Sequence, residues 1–143
     1  MAELHLRIVT PERTIVDRKV ASVQFMGIDG SYGILPHHAP LMASVPHSGT
    51  AEITETDGKK EELFISDGFA QVQHNVLTLV CEAGEFAEEI DMDRVKAAEA
   101  LAREKMSGLD KLSTEFLKAE ASLKKALARE MLSRRHSGTG SLK

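Results

Sequence analysis

Gly27-Ile28-Asp29-Gly30-Ser31-Tyr32-Gly33-Ile34-Leu35-Pro36-His37-His38-Ala39-Pro40-Leu41 is the stretch on which the reading of the whole chain turns. Glycines at three-residue spacing, followed by two prolines, exclude a helix interior or a central strand. Asp29-Gly30 signals a turn, where glycine admits a positive φ that a side chain would resist. Each proline fixes its own φ and drives its predecessor, Leu35 or Ala39, towards an extended conformation. A segment stiffened in this way can hold Ile34, Leu35, His38 and Leu41 on a defined surface without a long element behind them.

Around it the pattern is that of short strands. Leu4–Val9 alternates apolar and polar residues, Thr14–Val16 and Val20–Met26 read as extended, and Leu41–Val45 is short and apolar. Two hairpins follow. Thr50–Thr54 and Glu62–Ser66 flank Asp57-Gly58, and Phe69–Gln73 and Val76–Val80 flank His74-Asn75. Strands this short, separated by regular turn signals, predict an antiparallel β-sandwich or barrel. Its expected core is Leu6, Ile8, Val23, Phe25, Ile53, Leu63, Ile65, Phe69, Val72, Leu77 and Leu79.

Composition then changes. All four prolines and six of the ten glycines precede residue 69, whereas residues 91–132 contain no proline and only Gly108. The fold class is therefore α+β, with a sandwich over residues 1–88, a two-helix antiparallel hairpin over 89–135 and a flexible tail over 136–143. Asp91 is a helix N-cap, and Val95, Ala98, Leu101, Ala102 and Met106 form the first apolar stripe. Ser107-Gly108 stops that helix and Asp110 caps the next, whose stripe runs Leu112, Phe116, Ala119, Leu123, Leu127 and Met131.

The totals narrow the function. A net charge of −4 over 143 residues argues against a nucleic-acid partner. No apolar run is long enough to span a membrane, and Met1–His5 lacks a secretory start, so the cytosolic side is expected. The single cysteine, Cys81, ends an apolar strand and reads as a buried, inert thiol. Adjacent His37 and His38 would point to opposite faces of an extended chain, which disfavours a shared metal ion. Gly27-x-x-Gly30-x-x-Gly33 has the wrong spacing for a dinucleotide loop, and prolines follow where a helix would start. No catalytic constellation is recognisable.

Asp29-Gly30-x-x-Gly33-Ile34-x-Pro36-x-His38-Ala39-Pro40-Leu41 resembles the signature of the ε subunits of F-type ATP synthases. The resemblance covers nearly the whole chain and is strongest over residues 27–41 and 69–80. It implies a non-catalytic rotor subunit that couples the γ subunit to the c-ring, on the cytoplasmic face of a bacterial plasma membrane and held there only through the complex. Asp29, Ser31, Tyr32, His38 and Met42 would form the γ and c-ring interface, with Ser31 and Tyr32 at the loop tip. Many relatives carry an acid where Ser31 stands. The hairpin would extend into the catalytic ring to block hydrolysis, its basic residues Lys118, Lys124, Lys125, Arg129, Arg134 and Arg135 meeting acidic loops of the α and β subunits.

Ile90-Asp91-Met92-Asp93-Arg94-Val95 also resembles the segment with which some family members bind ATP, with Val95 in place of alanine. By that resemblance Glu85, Ile90, Asp91, Arg94, Lys125 and Arg129 would hold the nucleotide, and a nucleotide-sensing subunit is the alternative function. A capping Asp91 and an exposed Arg94 explain the segment without a ligand. No cofactor is expected, and ATP at most as a weak regulatory ligand.

Overall fold

The computed structural model describes the backbone of residues 2–141 and the side chains of 2–136. The chain divides into two compact units, Met1–Phe86 and Ala87–Lys143. The division falls just before the boundary expected at residue 88.

The first unit holds eight strands: β1 (Leu4–Val9), β2 (Thr14–Val20), β3 (Ser22–Gly27), β4 (Gly30–Ile34), β5 (Leu41–Val45), β6 (Gly49–Thr54), β7 (Lys60–Gln73) and β8 (Val76–Phe86). They are ordered β2-β1-β8-β7-β6-β3-β4, with β5 on β7. Pairing is antiparallel except between β1 and β8, which run parallel. Gly30–Ile34, expected as loop, is an edge strand, a place where glycines and the prolines that follow break no ladder on both sides.

The sandwich closes through β7. Its first half pairs with β6, Lys60 to Ile65, and its second half with β5, Gly68 to Val72. The two segments expected as separate strands are thus one strand of 14 residues. The exchange of partner happens at Asp67, whose φ of 53° is left-handed and whose amide donates to the Pro46 carbonyl. Ser66 Oγ donates to Asp67 Oδ2 at 2.8 Å, and His47 Nδ1 bonds Asp67 Oδ1. Gly68 comes next because a Cβ there would stand 1.8 Å from the Val80 carbonyl oxygen.

That kink also reverses which side chains face inward. Leu63 and Ile65 are core residues before it, and Ala70 and Val72 after it. Phe69, assigned to the core from sequence, consequently points outward and is 42% exposed. The other expected core residues are buried, joined by Leu4, Val16, Val20, Ile34, Val45, Ala51 and Cys81. At the β7–β8 turn His74 and Asn75 both take positive φ, 53° and 63°, the two-residue turn that matches strand twist.

The second unit begins with a 3-10 turn (Ala87–Glu89) that packs against the second helix. Helix α1 is Met92–Met106 and α2 is Thr114–Ser141. Asp91 caps α1, its carboxylate accepting from the amides of Asp93 and Arg94. Gly108, at φ 78°, ends it. Asp110 does not cap α2. It closes the turn by accepting from the Leu112 amide, and Ser113 Oγ caps α2 through the Phe116 amide. Helix α2 continues through Ser141, past the boundary expected at residue 135; Leu142 and Lys143 of the expected tail lie outside the described residues. Of the expected apolar stripes, Val95, Ala102 and Ala119 are buried and Met106, Phe116, Leu123 and Leu127 half-buried, whereas Ala98, Leu101, Leu112 and Met131 are exposed. Ala126 and Leu132, outside the expected stripes, are buried as well.

Candidate interaction surface

Gly27–Leu41 folds into the β3–β4 hairpin and a proline-bearing return. Gly27 pairs with Gly30 across the turn Ile28-Asp29. Tyr32 stacks on Phe25 with ring centroids 5.2 Å apart. The absence of a Cβ at Gly27 leaves room for that ring, whose Cε2 would otherwise be 2.7 Å away. The Tyr32 hydroxyl donates to both carboxylate oxygens of Asp29 at 2.8 Å. This bond, ahead of partial desolvation and the Asp29 charge, holds the phenol above its ordinary value of 10.0. The Ile28 amide donates to the Ser44 carbonyl at 2.9 Å, tying the hairpin tip to β5.

Asp29, Tyr32 and Met42 thereby line one groove of about 380 Å³, together with Ile28, Ala43, Ser44 and Phe69. Ile28 and Met42 are each 68% exposed. Large apolar side chains gathered in one exposed patch mark a protein contact surface, and adaptable methionine with an aromatic suits its centre.

Two other expected interface residues lie outside the groove lining. Ser31 is on β4 opposite Met26 and accepts from Gln24 Nε2 at 3.2 Å, so it is a strand residue and not the tip. His38 sits in the turn after Leu35, its Nδ1 2.6 Å from the Ala39 carbonyl. Asn75, read from the sequence only as a turn residue, steadies this return. Its Oδ1 accepts from the His37 amide at 2.7 Å and its Nδ2 donates to the Glu3 carbonyl at 2.8 Å. Cys81 is buried and its thiol is pushed up to about 11 by burial, which removes nucleophilic character.

Of the residues considered for nucleotide, Glu85 is on β8, in the first unit. Asp91 is engaged in capping, Arg94 is exposed and Ile90 buried. Lys125 and Arg129 are half-buried neighbours one turn apart on α2, each engaged in further contacts. The six basic residues of α2 do not share a face. By the helical repeat Lys118, Lys125 and Arg129 form one stripe, Lys124 and Arg135 a second, and Arg134 stands apart. Lys124 lies 3.9 Å from Glu120 and Arg134 2.6 Å from Glu130.

Residues 3–87 match the family described as the ATP synthase, Delta/Epsilon chain, beta-sandwich domain. The ATP synthase epsilon chain of Caldanaerobacter subterraneus is 38% identical over 125 residues, spanning 87% of this chain and 89% of that protein. The chain belongs to the ATP synthase epsilon-chain family. The ATP synthase epsilon chain of Nitratidesulfovibrio vulgaris is similar at 35% identity, covering 88% of this chain and 92% of its own length. Among solved structures, a chain of the Euglena gracilis mitochondrial ATP synthase (OSCP/F1/c-ring, rotational state 1) has a TM-score of 0.78 at 24% identity, covering 92% of this chain and 81% of its own. A chain of the Tetrahymena thermophila central stalk/c-ring structure scores 0.58 at 12% identity, covering 90% and 95%. At those identities the likeness is one of fold. Among the described residues no helix is long and apolar enough to cross a membrane.

Proposed function

We propose that this chain is a non-catalytic rotor subunit of an F-type ATP synthase, joining the γ subunit to the c-ring through its sandwich. The observation that carries this is the exposed groove of Ile28, Asp29, Tyr32, Met42, Ser44 and Phe69 beside the Gly27–Leu41 return. An apolar surface of this kind is stabilised by a permanent protein partner. The γ subunit is assigned to Met42, Phe69 and His38, and the c-ring to the polar edge at Ser31 and Tyr32. The complex would be at the cytoplasmic face of a bacterial plasma membrane, with this subunit held there through its partners.

The helical unit is assigned the regulatory role. Among the described residues half of its buried ones are alanines, with Ile90, Val95 and Leu132 the larger ones, so its packing contributes modestly. Helices held by so little area can exchange one set of contacts for another, and a gap of about 2–3 kcal/mol suffices for a population switch. Cations on three directions of α2 suit a helix surrounded by acidic loops of the α and β subunits, where it would block hydrolysis. The capping role of Asp91 leaves ATP at most a weak ligand of this subunit.

Substituting Phe69→Glu and Met42→Glu tests the sandwich half. Calorimetric titration against γ should show affinity lowered at least tenfold while the melting temperature holds. Unchanged affinity in both variants would contradict the assignment.

A further inference from the structure

The seam between the two helices of the hairpin contains an acidic residue from each side. On α1, Val95, Glu99, Ala102 and Met106 recur at the spacing of a buried stripe, and all are buried or half-buried. On α2, Ala119, Leu123, Ala126, Glu130 and Ser133 do the same. Glu99 and Glu130 thus occupy positions where apolar residues are the rule. Lys96 Nζ lies 3.4 Å from Glu130 Oε1, which brings these two stretches face to face. Arg134 Nη2 is 2.6 Å from the same oxygen. Among the described residues Glu99 Oε1 is shut off from solvent with no hydrogen-bond partner.

Two half-buried carboxylates on facing stripes of one packed seam do not both ionise without repulsion. One proton shared between them turns the repulsion into a bond, with Lys96 and Arg134 compensating the remaining charge. We propose that Glu99 and Glu130 form a proton-sharing clasp between α1 and α2, so that loss of the proton loosens the hairpin. The direction of titration agrees. Glu99 is held above the ordinary carboxylate value, first by its hydrogen bond to Glu130, then by desolvation and the Glu130 charge, against Lys96 and Arg103. Glu130 is held below it, first by the same hydrogen bond, with Lys96 and Arg134 adding to the effect against desolvation. A raised group contributes stability that is complete below its unfolded value and lost as pH rises through its folded value. The clasp therefore weakens on the alkaline side of the ordinary carboxylate range.

If the hairpin regulates hydrolysis as proposed above, its release is linked to proton concentration; the clasp itself can be tested without that role. Amide exchange over residues 92–106 and 114–133 of the full chain is followed from pH 5 to pH 8, corrected for intrinsic exchange. The hairpin opening constant should rise with pH, by at most about tenfold per unit for one proton. In Glu99→Gln, which keeps a donor to Glu130, the corrected constant should stay flat, as it should in Glu99→Met, which supplies the same comparison if the glutamine variant does not fold. A flat profile in the unsubstituted chain, or the same slope in the folded Glu99 variants, overturns the clasp.

Discussion

Replacing Gly68 with alanine should damage the sandwich more than any other single methyl group added to it. The new Cβ would stand 1.8 Å from the Val80 carbonyl oxygen and 2.8 Å from the Cys81 Cα, where ordinary contact begins at 3.4 Å. Both obstacles are backbone, so no side chain can swing aside. Strands β7 and β8 must part by more than an ångström, which carries neighbouring N–H···O bonds beyond useful length. Overpacking contributes about 1–3 kcal/mol and two or three weakened ladder bonds about 1 kcal/mol each, for a total of roughly 3–6 kcal/mol. For a unit of this size each kcal/mol moves the melting temperature by about 4–8 °C, so a fall of at least about 12 °C is expected in calorimetry or circular dichroism. Gly58→Ala is the control. Gly58 has φ +90° but nothing within 4 Å of an added Cβ, so it should cost only about 1 kcal/mol of backbone strain. A Gly68→Ala melting temperature within 5 °C of the parent would refute the account of how β7 exchanges partners.

Asp91→Ala removes an N-cap and should lower the stability of α1 by about 1 kcal/mol, read as faster amide exchange in its first turn. Cys81 should resist thiol reagents at pH 7.5 and react only when denaturant opens the fold; reaction as fast as a free thiol would contradict its burial. Because its thiol is raised from 9.0 to about 11, the protonated form is favoured by folding. Stability from this group is complete below about pH 9 and should decline as pH climbs through about 11, measurable as a falling urea midpoint. Asn75→Ala removes the two bonds that tie the His37 amide and the Glu3 carbonyl to the β7–β8 turn and also loses a residue tolerant of positive φ. A loss of about 2 kcal/mol is expected, with chemical-shift changes centred on residues 36–38.

What the sequence could disclose followed local chemistry. Strand alternation in β1, turn chemistry at His74-Asn75 and capping at Asp91 each act over a few residues, and each appears in the structure at its expected place. What it withheld depended on long-range geometry. The kink at Asp67 merges two expected strands and flips their inward parity, which moves Phe69 from core to surface. Phe69 and Val72 are an odd number of residues apart, so period-two alternation already forbids them one face; that was the available signal. Ile28 and Ser44 were overlooked because only the folded hairpin brings the tip of β3–β4 against β5. In the hairpin, the expected stripes are buried at Val95, Ala102 and Ala119 but not at Leu101 and Leu112, which face out, while Glu99, Ala126 and Glu130 take places in the seam. Hydrophobicity ranks leucine above alanine, but close helix approach favours the smaller side chain.

The central claim is that the sandwich grips the rotating shaft and the helical unit governs hydrolysis. Titrating the full chain into an F1 preparation depleted of its own ε subunit, with bound chain and ATPase rate measured on the same samples, examines both halves at once. Stoichiometric binding accompanied by falling hydrolysis is the predicted result, with Phe69→Glu impaired in both. A chain that stays monomeric beside the γ-containing complex and leaves its ATPase rate unchanged would contradict the account.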